Sequence, residues 1–152
     1  MRYPIESTAW LSERMGENVK NLIATFYELA DSRESDAGAR MAADVFSSDA
    51  VLVSAHATFR GSAEISKSRD NAWAVVKSRK HHILKAFASN QEPQELSLIG
   101  TVEMGLYSGK TIVSPFSCHI ELDSSPSSPE NPRIKAMEVF ADTAPLAAAL
   151  AE

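Results

Sequence analysis

Residues 78–87 read SRKHHILKAF, setting His81 and His82 side by side among basic and apolar residues. Imidazole ionises closest to neutral pH, so a histidine held beside a carboxylate is suited to taking up and releasing protons. In a strand, neighbours point to opposite faces, so at most one of this pair looks into a given cavity. The same constraint argues against a metal site. The chain has 4 histidines with no short ligand spacing beyond this pair, and adjacent strand residues do not chelate one ion. The single cysteine, Cys118, allows neither an internal disulfide nor a cysteine-based metal cluster. Ser54 has no Gly-x-Ser-x-Gly context, and the glycines are scattered singly, without a phosphate-binding loop. Proton transfer is the chemistry open to such a histidine, and no metal or cofactor is expected.

Such residues need a framework to hold them. At 152 residues the chain suits one domain with a core that requires no disulfide. A net charge of −5 argues against a nucleic-acid partner, which calls for clustered Lys and Arg. The one basic cluster, Lys77-Ser78-Arg79-Lys80, reads as a solvated helix end. The opening MRYPIESTAWLSERMGE has no apolar core of signal-peptide length, and no stretch approaches a membrane span. An intracellular, cytoplasmic protein with no membrane partner is expected.

The first half has helical period. Val19, Leu22, Ile23, Phe26, Leu29 and Ala30 recur at three- and four-residue intervals, predicting an amphipathic helix from Glu17 to Ala30. Asp31 to Asp36 interrupts it with turn residues, and a second, shorter helix follows with Met41, Val45 and Phe46 on its apolar side. Ser47-Ser48-Asp49 breaks the chain before AVLVSAHATF, which favours a strand or a small hairpin. Gly61-Ser62 opens a predicted third helix whose buried side is Ile65, Ala72, Trp73 and Val76. After SRKHHILKAF come strand candidates at 95–107, 110–122 and 133–142, the first two joined by the hairpin signal Ser108-Gly109. Residues 1–16 read as an N-terminal extension, and 123–132, rich in proline and serine, as a flexible loop. Helices followed by strands predict an α+β domain with helices on one face of a mostly antiparallel sheet. A cavity forms naturally between such layers, and polar residues facing it are the informative ones.

The pieces FYELADSRESDAGARMAADVFSSDAVLVS, FRGSAEI, SRKHHILKAF, LIGTVEMGLYSGK and IKAMEVFADTAPL, in this order and spacing, resemble the nuclear transport factor 2-like superfamily. Within it the chain is most similar to the SnoaL-like group, whose relatives include polyketide cyclases, ketosteroid isomerase and scytalone dehydratase. The resemblance spans Val19 to Leu146. It implies a cone-shaped α+β barrel, with three N-terminal helices packed on a curved sheet and a homodimer formed through the sheet's outer face. The alanine-rich tail PLAAALAE reads as a docking segment for that dimer.

Residue by residue, the resemblance divides. The isomerase's tyrosine falls on Phe26, its carboxylate base near Ser54 and its aspartic acid near Cys118, so that route to isomerisation is not expected. The dehydratase's aspartate matches Asp31 in LADSRE, and its histidine matches His82 or, with a one-residue slip, His81. Its second histidine falls near Val102 and its tyrosine near Ser54, which leaves that match partial. The resemblance turns Ser54, Glu103 and Glu138 towards the cavity. Strand alternation adds His56 to the side of Leu52 and Ser54, while His119 takes the opposite parity from Cys118. The expected catalytic residues are Asp31, His82 or His81, and Glu138. Phe26, Ser54, His56, Trp73, Glu103 and Phe140 are expected to contact substrate. Leu84 and Ala86 as neighbours favour His82 inward, with His81 kept open.

Two functions follow. One is a cofactor-independent isomerase, cyclase or dehydratase acting on a small hydrophobic, polyketide- or terpenoid-like intermediate. The other is a non-catalytic ligand-binding or dimerisation module, whose mark is a pocket filled by side chains such as Trp73, Phe87, Met104 and Phe140.

Overall fold

The apolar positions between Glu17 and Ala30 form helix α1 (Glu17–Ala30), which buries Leu22, Ile23, Ala24, Phe26, Tyr27, Leu29 and Ala30. In the computed structural model, which describes residues 5–12, 15–123 and 131–151, this helix lies against one face of a seven-stranded sheet. The contacts are aromatic: the Phe26 ring meets Phe46, and the Tyr27 ring meets Phe116, each at 6.0 Å between centroids. Helix α2 (Ala37–Asp44) follows α1 and buries Ala37, Gly38, Met41 and Ala42.

The strands are β1 (Ala9–Trp10), β2 (Phe46–Val53), β3 (Thr58–Arg60), β4 (Val76–Ala88), β5 (Glu95–Leu106), β6 (Thr111–Leu122) and β7 (Ile134–Ala141). Their order in the sheet is β1-β4-β5-β6-β7-β2-β3. Pairing is antiparallel except for β1 on β4 and β2 on β7. The architecture is therefore α+β with a mostly antiparallel sheet. AVLVSAHATF folds as the β2–β3 hairpin, and Gly109, at φ 92, makes the tight turn between β5 and β6. Part of the segment read as an extension is β1, tied to β4 by Thr8, whose hydroxyl donates to the Ile83 carbonyl at 2.7 Å. The core of the expected loop, 124–130, lies outside the described residues.

The third helix departs from expectation. Helix α3 (Gly61–Ile65) is a single short element, and residues 66–75 are turns leading straight into β4. Ile65 is buried, whereas Ala72 and Trp73 belong to the turns. The basic cluster at 77–80 therefore sits on a strand rather than at a helix end. Helix α4 (Ala144–Leu150) packs on β6 of its own chain, with Leu146 and Ala149 against the core.

β5 and β6 pair in unbroken register from Glu95↔Glu121 to Gly105↔Thr111, so alternation holds along both. Leu96, Leu98, Gly100, Val102, Met104 and Leu106 face the helices, opposite Ser114, Phe116, Cys118 and Ile120. Full burial of each large apolar side chain contributes about 1.5–3 kcal/mol, which is why the apolar set turns inward. Gly100 has no room for more, because a Cβ there would stand 2.9 Å from Cε1 of Phe116.

β4 and β7 behave differently. β4 carries an extra residue between Val76 and Ser78 and another between Ile83 and Lys85. β7 carries one where Ile134 and Ala136 pair with the adjacent residues Leu122 and Glu121. Each bulge reverses the side on which all later side chains emerge.

Candidate active site

Asp31 caps the C-terminus of α1, with its backbone N–H donating to the Tyr27 carbonyl at 3.0 Å. Its carboxylate grips one residue of β4 at two points. Oδ2 accepts the His81 backbone N–H at 2.9 Å, and Oδ1 lies 2.7 Å from His81 Nδ1. Side-chain exposure is only 10% for Asp31 and 17% for His81. A carboxylate at this distance keeps a proton on Nδ1, so proton exchange falls to Nε2 on the far side of the ring. The ring is held edge-on to Phe116, with centroids 5.3 Å apart at 89°, and tilted against Tyr27 at 4.9 Å.

The β4 bulges decide which histidine this is. The inward set runs Val76, Arg79, His81, Ile83, Ala86, and His82 is exposed on the other face. The expectation that His82 faces inward with Ala86 fails because the bulge after Ile83 puts Ala86 on the side of His81.

His81 lines a cavity of about 500 Å³ between the sheet, α1 and the turns after α3. Phe26, Tyr27, Leu52, Phe116, Met137 and Val139 supply apolar wall, and Leu146 of α4 adds to it. Ser54 and His56 also line the cavity, where the β2–β3 hairpin turns. The Ser54 hydroxyl serves that turn, donating to the Ala57 carbonyl at 3.0 Å and accepting the Ala57 N–H at 3.1 Å.

Four expected residues lie elsewhere. Glu103 is exposed on the outer face, because Val102, Met104 and Leu106 take the buried side of β5. Glu138 and Phe140 are turned outward by the β7 bulge, which hands the inner side to Met137 and Val139. Both border a more open depression of about 750 Å³ that also touches Ile99, Pro115 and Ser117. Trp73 does not line the cavity, and its indole N–H donates to the Ser32 carbonyl at 3.2 Å. Two guanidinium groups lie over its ring, Arg33 at 4.8 Å and Arg79 at 5.0 Å from the centroid. Trp73 thus braces the turn that carries Asp31. Phe87 and Phe140 are exposed, and Met104 is in the core, so none of the four candidate plugs occupies the cavity.

Arg69, which the sequence did not mark, and Arg79, expected in a solvated cluster, also line the cavity. Arg69 donates to the Ala30 carbonyl, and Arg79 to the Ala72 carbonyl at 2.9 Å. Burial holds the Arg69 guanidinium down to about 10; repulsion from Arg79 adds to this and attraction to Asp31 opposes it. Arg79 is likewise lowered, mainly by burial and against the pull of Asp31. Both remain cationic at neutral pH. Deeper in the core, burial pushes the Cys118 thiol up to about 11, partly offset by hydrogen bonds from Tyr27 and Leu98. Its sulfur lies 3.5 Å from the Tyr27 hydroxyl, and burial outweighs both hydrogen bonds, so the neutral thiol is favoured.

No protein-family model matches the sequence, and neither does any curated protein. Solved structures are similar. TerC, co-crystallised with polyporic acid, superposes with a TM-score of 0.66 at 16% identity, over 90% of this chain and 100% of that one. A putative isomerase of the SnoaL-like family from Agrobacterium tumefaciens gives 0.62 at 9% identity, over 84% and 99%. The chain has the NTF2-like fold. A hexachlorocyclohexane dehydrochlorinase, LinA type 2, shares this NTF2-like fold with a TM-score of 0.65 at 13% identity, over 82% of this chain and 83% of that one. At these identities the likeness is one of fold, and the chemistry has to be argued from the cavity. Among the described residues, no helix is long and apolar enough to cross a membrane.

Proposed function

We propose that this NTF2-like chain is a cofactor-independent acid–base enzyme acting on a small hydrophobic molecule. His81 removes a proton from substrate carbon through Nε2, while Asp31 holds the ring's orientation and stabilises the imidazolium that forms. The proton then returns to another atom of the substrate or leaves with a departing group, giving isomerisation, cyclisation or elimination. One observation carries this reading: a histidine bound twice by one carboxylate stands on the wall of a largely apolar, unplugged cavity. The ligand-bound NTF2-like neighbour TerC and the dehydrochlorinase lend the reading support as analogies of fold. A polyketide- or terpenoid-like substrate is the class that the cavity's aromatic and aliphatic wall suits.

A probe reaction tests the base without knowledge of the substrate. In 5-nitrobenzisoxazole, removal of the C3 proton breaks the N–O bond and releases a coloured cyanophenolate. The wild type should accelerate this over buffer, His81→Asn should lose the acceleration, and His82→Asn should retain it. Acceleration that survives His81→Asn would sink the assignment.

We also propose a homodimer formed through the outer face of the sheet. Leu84, Phe87, Ile99, Val113 and Phe140 are each between 39% and 56% exposed there, an apolar surface of the kind partners cover.

A further inference from the structure

The cavity wall carries more positive charge than its own residues balance. Arg69 and Arg79 both line it, and among the described residues neither forms a salt bridge. Their hydrogen bonds go to the carbonyls of Ala30 and Ala72, neutral acceptors that leave the charge in place. Nε of Arg69 is buried and has no hydrogen-bond partner. Asp31 is the carboxylate whose charge both arginines feel, and its two oxygens are bonded to His81. Two cations fixed on backbone carbonyls therefore face one fixed anion beside an apolar cavity, and the exposed Lys67 adds a third positive charge to its lining. Withdrawing a guanidinium from water without a counter-ion is unfavourable. An anion arriving with the ligand removes the imbalance.

We infer that the ligand carries an anionic oxygen group, a carboxylate or an enolate- or phenolate-type oxygen, and that Arg69 and Arg79 receive it while its hydrophobic body fills the cavity. Planar guanidinium groups suit a two-oxygen anion better than a point charge does. The inference rests on the reading of the cavity as a small-molecule site. It adds a consequence for the chemistry: a carbon acid whose negative charge grows on oxygen as His81 takes its proton would find that charge already matched.

Calorimetry with two probes of one shape tests it: 2-naphthoate, and 2-naphthamide, which lacks the charge. The wild type should bind the carboxylate about tenfold or more tighter than the amide, as charge-assisted hydrogen bonds are stronger than neutral ones. Arg69→Met and Arg79→Met should each erode that preference while leaving the amide within about twofold, since an apolar side chain of similar length keeps the packing. Equal affinity for the two probes in the wild type would overturn the inference, with no variant needed. So would the absence of naphthoate binding at millimolar concentration, or a preference that survives both substitutions. His81→Asn separates the two proposals. It should keep the carboxylate preference while losing the benzisoxazole reaction. A wild type that eliminates benzisoxazole yet shows no carboxylate preference would leave the base standing and remove the anion site.

Discussion

Asp31→Asn is a change of one atom, and its consequences can be worked through. The native carboxylate accepts twice, from the His81 backbone N–H at 2.9 Å and at 2.7 Å from Nδ1. An asparagine has one acceptor and one donor. The backbone N–H cannot give up its hydrogen, so the amide oxygen must face it and the NH₂ must face Nδ1. Nδ1 then has to accept, which moves the neutral ring's proton to Nε2, the nitrogen required to be bare. Both charge-assisted hydrogen bonds become neutral ones, and Arg69 and Arg79 lose the carboxylate they feel. Together these should cost about 2–4 kcal/mol of stability, or roughly 5–15 °C in Tm for a domain of this size. Loss of the positioned base should reduce turnover by about 10²–10⁴-fold. Long-range ¹H–¹⁵N correlation spectra, recorded above the pH at which the ring titrates, read the tautomer directly, and His81→Asn identifies the signals. The wild type should show its proton on Nδ1 and the variant on Nε2. A wild-type ring protonated on Nε2, or an unchanged tautomer in Asp31→Asn, would refute the reasoning.

Four further outcomes are expected. Gly100→Ala should destabilise the protein by about 1–3 kcal/mol in urea unfolding, because the new methyl meets Phe116 at 2.9 Å and the His82 backbone oxygen; an unchanged midpoint would contradict the packing. Cys118 should resist iodoacetamide at pH 8 in the native protein and react fully in urea, since a thiol raised to about 11 is roughly one part in a thousand thiolate there. Its raised value also means that its contribution to stability, intact below its ordinary 9.0, is lost as the pH climbs towards 11. The alkaline limb of a stability curve should accordingly be flatter in Cys118→Ala. Val113→Lys combined with Phe140→Lys, both on the exposed outer face, should shift the mass measured by light scattering from dimer to monomer and leave the benzisoxazole reaction in place.

The parts of the fold that could be read from the residues are those where period and burial agree. α1 was legible because its apolar positions repeat as a helix requires, and β5 and β6 because unbroken register preserves their alternation. Glu103 lies outside the cavity for a different reason. The family resemblance turned it inward, but on the same strand Val102, Met104 and Leu106 compete for the buried face, and apolar area decides. The sequence suggests a longer third helix because Ala72, Trp73 and Val76 mimic a helical stripe. With β4 starting at Val76, Arg79 becomes a strand residue facing inward. Arg69 has no legible signal, since a half-buried arginine differs from a solvated one only through the carbonyls and rings brought to it by distant segments.

The histidine pair shows where alternation alone runs out. Strict alternation through β4 would turn Val76, Ser78, Lys80, His82, Leu84, Ala86 and Ala88 inward. The observed inward set is Val76, Arg79, His81, Ile83, Ala86 and Ala88. The ends are identical, because the two bulges flank the middle segment and invert it alone. Either arrangement satisfies the strand's anchors at Val76 and Ala86, so the apolar pattern at its ends cannot choose between them. The choice is made by interactions reaching the middle from other elements. Asp31 at the end of α1 bonds both the backbone and the ring of His81, and Trp73 stacks on Arg79, two residues away on the same face. The inverted arrangement also exchanges a buried lysine position for an arginine that an aromatic ring can cover. The bulges that hid the site from the alternation are thus the same devices that turn its histidine and one of its arginines into the cavity together.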